Sequence, residues 1–154
     1  PGGDEVKYNE GIFVGYRWAD KHKIKPLFSF GHGLSYTTFA YGKVTADKKQ
    51  MNAGDKITFS VNVKNTGSRE GSEVVQLYIT DVKSSLPRPV KELKGFEMIS
   101  LKKGESKKVE FVLTEKELGF YTNEGEFTVE AGKFEIFIGT SSSNVKNSVF
   151  HLYY

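Results

Sequence analysis

The sequence predicts an all-β protein, an antiparallel β-sandwich of about seven or eight strands with an irregular N-terminal extension. Apolar and polar residues alternate strictly from Ile57 to Val63, which is the period of a strand with one buried face. Short polar clusters recur roughly every ten residues after residue 40, and no long stretch has helical periodicity. These observations indicate many short strands joined by turns.

The first 20 residues divide into a polar start and an apolar stretch. Residues 1–9 are polar and rich in glycine, so we expect little order there. In residues 10–20, Ile12, Val14 and Tyr16 recur at every second position, which predicts a short strand. Apolar side chains also occupy intervening positions, so we expect this strand to be buried against another body.

Residues 22–26 predict a loop, and residues 27–39 predict an irregular connector in which aromatic side chains surround two glycines. A phosphate-binding loop would need a lysine and a following helix, and the sequence has neither here. A nucleophile elbow at Ser35 would need glycine two residues on either side, but position 37 is threonine. The connector therefore predicts packing rather than catalysis.

Regular alternation begins at Phe39 and continues to the end of the chain. The predicted strands are residues 39–44, 56–64, 73–81, 92–100, 107–114, 127–129, 134–138 and a final strand that contains Phe150 and Leu152. Burial of the four apolar side chains of residues 57–63 contributes roughly 6–12 kcal/mol. Because the net stability of a domain is about 5–15 kcal/mol, we expect the other strands to pack around this one.

Two connecting segments carry their own signals. Residues 84–90 contain two prolines, which lack the donor that a central strand needs, so an extended loop is predicted. Thr114 with Glu117 three positions later forms a capping-box pattern, which predicts a single helical turn.

Composition excludes some classes of function. A chain of 154 residues is one domain with an appendage, and a net charge of +3 is too small to indicate nucleic-acid binding. The absence of cysteine excludes disulfides and thiolate metal sites, and no apolar run is long enough for a membrane span. The chain does not begin with methionine, so we expect it to be a piece of a longer polypeptide.

The predicted sandwich is of the immunoglobulin or fibronectin type III kind. A true immunoglobulin domain is disfavoured, because the lone Trp18 lies outside the strand region and no cysteine pair exists.

Five contiguous motifs extend this interpretation. They are Lys64-Asn65-Thr66-Gly67, Gly71-Ser72-Glu73-Val74-Val75-Gln76-Leu77-Tyr78, Arg88-Pro89-Val90-Lys91-Glu92-Leu93-Lys94-Gly95-Phe96, Glu10-Gly11-Ile12-Phe13-Val14-Gly15-Tyr16-Arg17 and Phe28-Ser29-Phe30-Gly31-His32-Gly33-Leu34-Ser35-Tyr36. The first three resemble the fibronectin type III-like module that ends many family-three glycoside hydrolases. The last two resemble the segment that joins this module to the preceding α/β domain. The family members meant are β-glucosidases and β-xylosidases.

The resemblance implies a parent enzyme that hydrolyses β-linked glycosides with retention, using two carboxyl groups about 5–5.5 Å apart. In the family, the nucleophilic aspartate lies in an N-terminal barrel and the acid/base glutamate in the middle α/β domain, so both would precede residue 1. Residues 1–36 would then be the tail of the α/β domain plus the connector, and residues 37–154 the sandwich. A periplasmic or secreted location is expected, with any signal outside this segment.

Two positions depart from the family pattern. Ala19 follows Trp18 where the family usually has an aromatic residue, and Ser29 precedes Phe30 where it usually has proline. Both departures are expected to loosen the packing of the connector.

No catalytic, cofactor-binding or metal-binding residue is predicted in this chain. The acidic pairs Glu70 with Glu73 and Glu124 with Glu126 flank turns, where no desolvated pocket is expected to raise a pKa. The three histidines have no ligand spacing.

The predicted contact residues lie in the connector and in the proline-containing loop. They are Tyr16, Arg17, Trp18, Phe28, Phe30, Tyr36 and Arg88. Their aromatic rings are expected to pack against the catalytic domains, to stack on a β-linked oligosaccharide at the domain border, or to fold back onto the sandwich. Arg88 is expected to pair with a carboxylate of a neighbouring domain.

Three functions remain open from the sequence. The favoured one is a non-catalytic accessory module whose partners are upstream catalytic domains of the same polypeptide. The alternatives are a carbohydrate-binding module and a cell-surface adhesion or spacer domain. Outward positions of the central strand are Thr58, Ser60 and Asn62, which argue against an aromatic sugar platform there.

Overall fold

The computed structural model describes residues 7–154, and it confirms the all-β prediction. The strands are β1 (Phe39–Tyr41), β2 (Thr45–Ala46), β3 (Gln50–Asn52), β4 (Ile57–Asn65), β5 (Gly71–Asp81), β6 (Glu92–Leu101), β7 (Ser106–Leu113), β8 (Phe120–Tyr121), β9 (Phe127–Thr128), β10 (Gly132–Gly139) and β11 (Val145–Tyr153). The helices are α1 (Tyr16–Lys21) and α2 (Glu115–Leu118).

The strands form two main sheets. In one sheet, β4 pairs with β7 along one edge and with β1 and β2, one after the other, along the other edge. The second sheet has the order β3–β11–β10–β5–β6. All of these pairs are antiparallel except β3 with β11, which is parallel. Strands β8 and β9 form a separate antiparallel pair.

The core lies between the two sheets. The apolar residues of β4 at positions 57, 59, 61 and 63 are all at most 1% exposed, as their alternation predicts. Phe59 meets Phe150 of the opposite sheet with ring centroids 5.5 Å apart, and Phe150 stacks on Phe134 at 5.4 Å. The predicted inward positions of β5, which are Val75, Leu77 and Ile79, belong to the same buried cluster.

The predicted turn after β4 is built around a fully buried Asn65. Its amide nitrogen donates to the carbonyl oxygens of Arg69 and Leu101, at 2.7 and 3.0 Å. Its amide oxygen accepts from the Gly67 N–H at 3.1 Å and from the Thr37 hydroxyl at 2.7 Å. Because every polar atom of this side chain is bonded, its burial is tolerated.

The predicted strand over residues 10–20 is wrong, because part of this range forms α1. Gly15 has φ +59, and its carbonyl oxygen accepts from the N–H groups of Trp18 and Ala19. Ile12 and Val14 stay exposed, and no strand edge pairs with them. Apolar residues at successive positions fit a strand and a short helix equally well, so periodicity did not separate them. The expectation of little order covers residues 1–6, which lie outside the described residues; residues 7–9 belong to no helix or strand.

The strand count differs from the prediction because residues 7–154 hold eleven strand segments, several of them only two or three residues long. The predicted first strand ends at Tyr41, and β2 and β3 follow it. Strand β3 was missed because only Met51 is buried there, between two polar residues. Residues 82–91 form no helix or strand, as predicted.

The predicted helical turn is present as α2, and its capping box is complete. The Lys116 N–H donates to the Thr114 hydroxyl at 3.3 Å, and the Thr114 N–H donates to the Glu117 carboxylate at 2.8 Å. Burial alone would raise the pKa of Glu117, but the hydrogen bonds from Thr114 outweigh it and lower that pKa below its usual value.

Candidate interdomain surface

The N-terminal segment, defined here as residues 7–36, contributes no buried residue to the protein. The first buried residue of the described chain is Thr37. The segment nevertheless exposes many apolar side chains. These are Tyr8, Ile12, Val14, Trp18, Ile24, Leu27, Phe28, Phe30, Leu34 and Tyr36, of which Leu27, Leu34 and Tyr36 are more than 90% exposed. Large apolar surface of this kind usually marks an interface.

Tyr16 anchors the N-terminal segment to the outer face of the five-stranded sheet. Its ring stacks on Phe30 at 4.5 Å and meets Tyr78 of β5 edge-on at 6.1 Å. Its hydroxyl accepts a hydrogen bond from the Leu93 N–H at 3.0 Å. The structure therefore brings together two of the predicted contact residues, Tyr16 and Phe30. Tyr16 also contacts Tyr78 of β5, a contact that the sequence analysis did not predict.

Gln76 provides the second anchor, which sequence reasoning missed. Its amide nitrogen donates to the carbonyl oxygens of Gly31 at 3.0 Å and Thr140 at 2.8 Å. Its amide oxygen accepts from the Tyr78 hydroxyl at 2.5 Å. The alternation of β5 carried no signal for this anchor, because Gln76 and Tyr78 occupy outward positions and are buried only where the segment covers them. Burial raises the pKa of Tyr78, and nearby Tyr16 and Asp20 raise it further, so this hydroxyl stays a neutral donor.

Glu92, at the start of β6, gathers three cationic side chains. Arg17, Arg88 and Lys94 each place a nitrogen 3.3 Å from one of its carboxylate oxygens. Beside this cluster, the Lys91 ammonium lies 3.6 Å from the Asp20 carboxylate, which ties α1 to the loop before β6. Each pair is partly exposed, so each contributes modestly, about 0–1 kcal/mol.

Arg88 contacts Glu92 and Phe120 within the chain. Besides pairing with Glu92, its guanidinium lies over the Phe120 ring, 4.7 Å from the centroid. Its Nη1 atom is buried and has no hydrogen-bond partner among the described residues. One edge of this guanidinium therefore keeps unused hydrogen-bonding capacity.

The remaining predicted aromatic residues lie apart from the Tyr16–Phe30 pair. Trp18 is 41% exposed and packs on His22, with ring centroids 3.8 Å apart. Phe28 is tilted against His32 at 5.3 Å. Tyr36 is the most exposed of the set, at 94%. These three rings do not form one platform with Tyr16 and Phe30.

Comparison with known proteins finds a family model that matches part of this chain. The family model described as the fibronectin type III-like domain matches residues 73–142, which run from β5 to the turn after β10. This chain contains a fibronectin type III-like domain.

Several relatives that cover most of the chain are β-glucosidases. It is 50% identical over 143 residues to thermostable beta-glucosidase B of Acetivibrio thermocellus, covering 92% of this chain and 19% of that protein. It is 45% identical over 150 residues to beta-glucosidase BoGH3A of Bacteroides ovatus, covering 96% of this chain and 20% of that protein. The solved structure of the Bifidobacterium adolescentis GH3 beta-glucosidase matches with a TM-score of 0.88 and 36% identity, over 98% of this chain and 23% of that one.

These matches confirm the resemblance to family-three glycoside hydrolases. The chain spans about a fifth of the length of the curated relatives that it matches. The matches extend well beyond residues 73–142, so the fibronectin type III-like domain and most of its N-terminal segment occur together in those proteins.

The four glutamates of the two acidic pairs lie in different environments, and only Glu73 is partly buried. Glu73 is half-buried, and its carboxylate accepts from the Tyr41 hydroxyl at 2.9 Å. Burial raises the pKa of Glu73, although the Tyr41 hydrogen bond acts in the opposite direction. Glu70, Glu124 and Glu126, the other members of the acidic pairs, are exposed.

The described residues of the chain contain no group of three His, Asp or Glu side chains that could hold a metal ion. The three histidines occupy separate places, because His22 contacts Trp18, His32 contacts Phe28 and His151 stacks near Tyr153. Among residues 7–154, no helix has the length and apolar composition of a membrane span.

Proposed function

We propose that this chain is a non-catalytic accessory module of a β-glucosidase-like polypeptide and that it packs against the catalytic domains of that polypeptide. One observation carries the proposal: residues 7–36 are held to the sandwich by specific bonds, yet their apolar side chains point into solvent. A segment that served only the sandwich would bury those side chains against it.

The division into residues 1–36 and residues 37–154 is part of this proposal. The change from a segment without buried residues to a buried core at Thr37 supports it. The share of the relatives that the chain covers, about a fifth, leaves ample length for catalytic domains. In this arrangement the reacting carboxylates lie in those domains, and Leu27, Leu34 and Tyr36 contact them.

The proposal is tested by hydrolysis of an aryl β-glucoside. We expect no turnover by the 154-residue chain alone and turnover by the longer polypeptide encoded by the same reading frame. Deletion of residues 37–154 from the longer polypeptide is expected to lower its melting temperature. Turnover by the isolated chain that survives repurification and scales with concentration would contradict the proposal.

Carbohydrate binding is a second candidate, which the exposed rings of Trp18, Phe28 and Tyr36 favour. Exposed aromatic rings stack on sugars, although a row of coplanar rings on one sheet face would be needed for a strong platform. Affinity electrophoresis on xylan and β-glucans tests this candidate. Retardation that Trp18→Ala abolishes would support it, and unretarded migration would exclude it. An upstream reading frame without a catalytic domain would instead favour an adhesion or spacer role.

A further inference from the structure

The outer face of β5 and β6 carries an apolar stripe, defined here as Val74, Phe96 and Met98. Val74 lies directly opposite Met98 in the β5–β6 register, and Phe96 lies two residues from Met98 on the same face. Phe96 is 70% and Met98 71% exposed, whereas their inward neighbours Ile99 and Leu101 are buried. The three side chains therefore form one continuous exposed surface.

The fold does not require this stripe. On the outer face of the other sheet, Asn62 of β4 lies opposite Lys108 of β7, and Lys64 lies opposite Ser106. Those polar pairs are what a solvated outer face of a sandwich normally carries. The stripe lies at the same kind of position but has the composition of a buried surface.

The stripe borders the N-terminal segment. Phe96 lies opposite Gln76, and Gln76 is the residue that holds the Gly31 carbonyl. The segment thus covers the outer face of β5 as far as Gln76, and the uncovered part begins at the next outward position, Val74. Leu34 of the segment and Val74 of the stripe line the same pocket.

We propose that this stripe is a second docking surface and that its occupant is the catalytic region of the same polypeptide. This inference rests on the proposed function. The relatives have about four-fifths of their length outside the matched part, and the N-terminal segment is bonded through Tyr16 to Leu93 of β6, the strand that carries Phe96 and Met98. A single ring beside a thioether and a branched aliphatic chain suits a protein surface, because methionine adapts to irregular apolar contacts.

The two methionines of the chain give a direct test. Met98 is exposed and Met51 is fully buried, so peroxide should oxidise Met98 rapidly and Met51 slowly in the isolated chain. In the longer polypeptide, we expect the oxidation rate of Met98, measured by mass spectrometry, to fall on the order of tenfold. Met51 serves as the internal control for unfolding, and its rate should stay low in both proteins.

A second measurement separates failure of the stripe assignment from failure of the proposed accessory role. Hydroxyl-radical footprinting of Leu34 and Tyr36 in the same samples reports contact at the N-terminal segment. Protection there with an unchanged Met98 rate would overturn the stripe assignment and leave the accessory role intact. Protection at neither place would overturn both. Protection of Met98 that rises with concentration of the isolated chain would identify a second copy as the occupant and overturn the assignment.

Substitutions provide an independent measurement. The double variant Phe96→Ser with Met98→Ser should leave the melting temperature of the isolated chain nearly unchanged and lower that of the longer polypeptide. Val112→Ser is the matched control, because Val112 is 54% exposed on β7 of the opposite sheet. Equal effects of the double variant and the control on the longer polypeptide would overturn the proposal.

Discussion

The Gln76 amide nitrogen lies 3.0 Å from the Gly31 carbonyl oxygen, and this bond joins the N-terminal segment to the middle of the outer face of β5. Gly31 has φ +79, and a Cβ atom there would lie 1.9 Å from the Gln76 amide oxygen. The approach of these two residues therefore depends on glycine for both its backbone conformation and its lack of a side chain.

Gly31→Ala is expected to release the N-terminal segment without unfolding the sandwich. The left-handed backbone costs a non-glycine residue about 1–2 kcal/mol, which shifts the detachment equilibrium by a factor of roughly 5–30. Trypsin cleavage at Lys21 and Lys23 should become correspondingly faster, whereas Lys25 precedes Pro26 and is not a trypsin site. Gly33→Ala is the control, since nothing lies within 4 Å of its Cβ position. Equal cleavage rates for the two variants would contradict the anchoring role.

Val61→Asp is expected to unfold the domain. Val61 is 1% exposed in the middle of β4, and a buried carboxylate without a partner costs several kcal/mol, which approaches the whole stability of a domain. The neighbouring residue Asn62 is exposed to solvent opposite Lys108, so the substitution Asn62→Asp should be tolerated. Thermal unfolding followed by circular dichroism compares them. A shift of only a degree or two for Val61→Asp would mean that this position is not in the core.

Glu73→Gln is expected to change how stability depends on pH. Because burial raises the pKa of Glu73 in the folded protein, the folded state holds this proton more tightly than the unfolded state does. The free energy of unfolding should therefore fall as pH rises from the ordinary glutamate pKa, 4.5, through the raised folded value. Glutamine keeps an acceptor for the Tyr41 hydroxyl and removes this contribution.

Urea denaturation of the wild type and of Glu73→Gln between pH 4 and 7 measures this difference. The variant should gain stability relative to wild type as pH rises. Glu124→Gln, in an exposed turn, is the control and should give a difference that does not vary with pH. A constant difference for Glu73→Gln as well would refute the assigned pKa shift.

Thr114→Ala is expected to lower the free energy of unfolding by about 1 kcal/mol, because the capping hydroxyl of α2 is lost. For a chain of this size, that corresponds to a shift of the melting temperature of about 2–4 °C. Thr114→Ser retains the hydroxyl and should behave like the wild type. Calorimetry of the three proteins decides the point, and identical melting temperatures would show that the cap contributes nothing.

The strands of the sandwich were predictable from sequence where one face of the strand is exposed to solvent and the other is buried. Strand β4 follows its alternation for the inward residues, which meet the opposite sheet, and for Asn62 and Lys64, which are exposed, whereas the outward Ser60 is buried. The same rule failed to anticipate Gln76 and Tyr78, whose outward side chains are buried by a distant segment. The alternation of residues within a strand does not indicate whether a distant segment of the chain packs over its outer face.

The residue types of the candidate surface were predicted from sequence, but their arrangement in space was predicted only in part. The residue types of the N-terminal segment indicated contact surface, and Tyr16 and Phe30 do meet on the sandwich. Their separation from Trp18, Phe28 and Tyr36 depends on α1 and on the turn at Gly31, and both follow from backbone angles at glycines. Exposed stripes such as the one at Phe96 and Met98 require a register between β5 and β6, which a single sequence does not supply.

The turn of the N-terminal segment at residues 30–31 is held through its main-chain carbonyls. Gln76 donates to the carbonyl of Gly31, and the Ser142 N–H donates to the carbonyl of Phe30. Every residue type has a main-chain carbonyl. Substitutions at positions such as Phe28 can therefore change the exposed side chains while the backbone path of the segment stays the same. The side chains that this segment exposes can thus change during evolution while its attachment to the sandwich is retained.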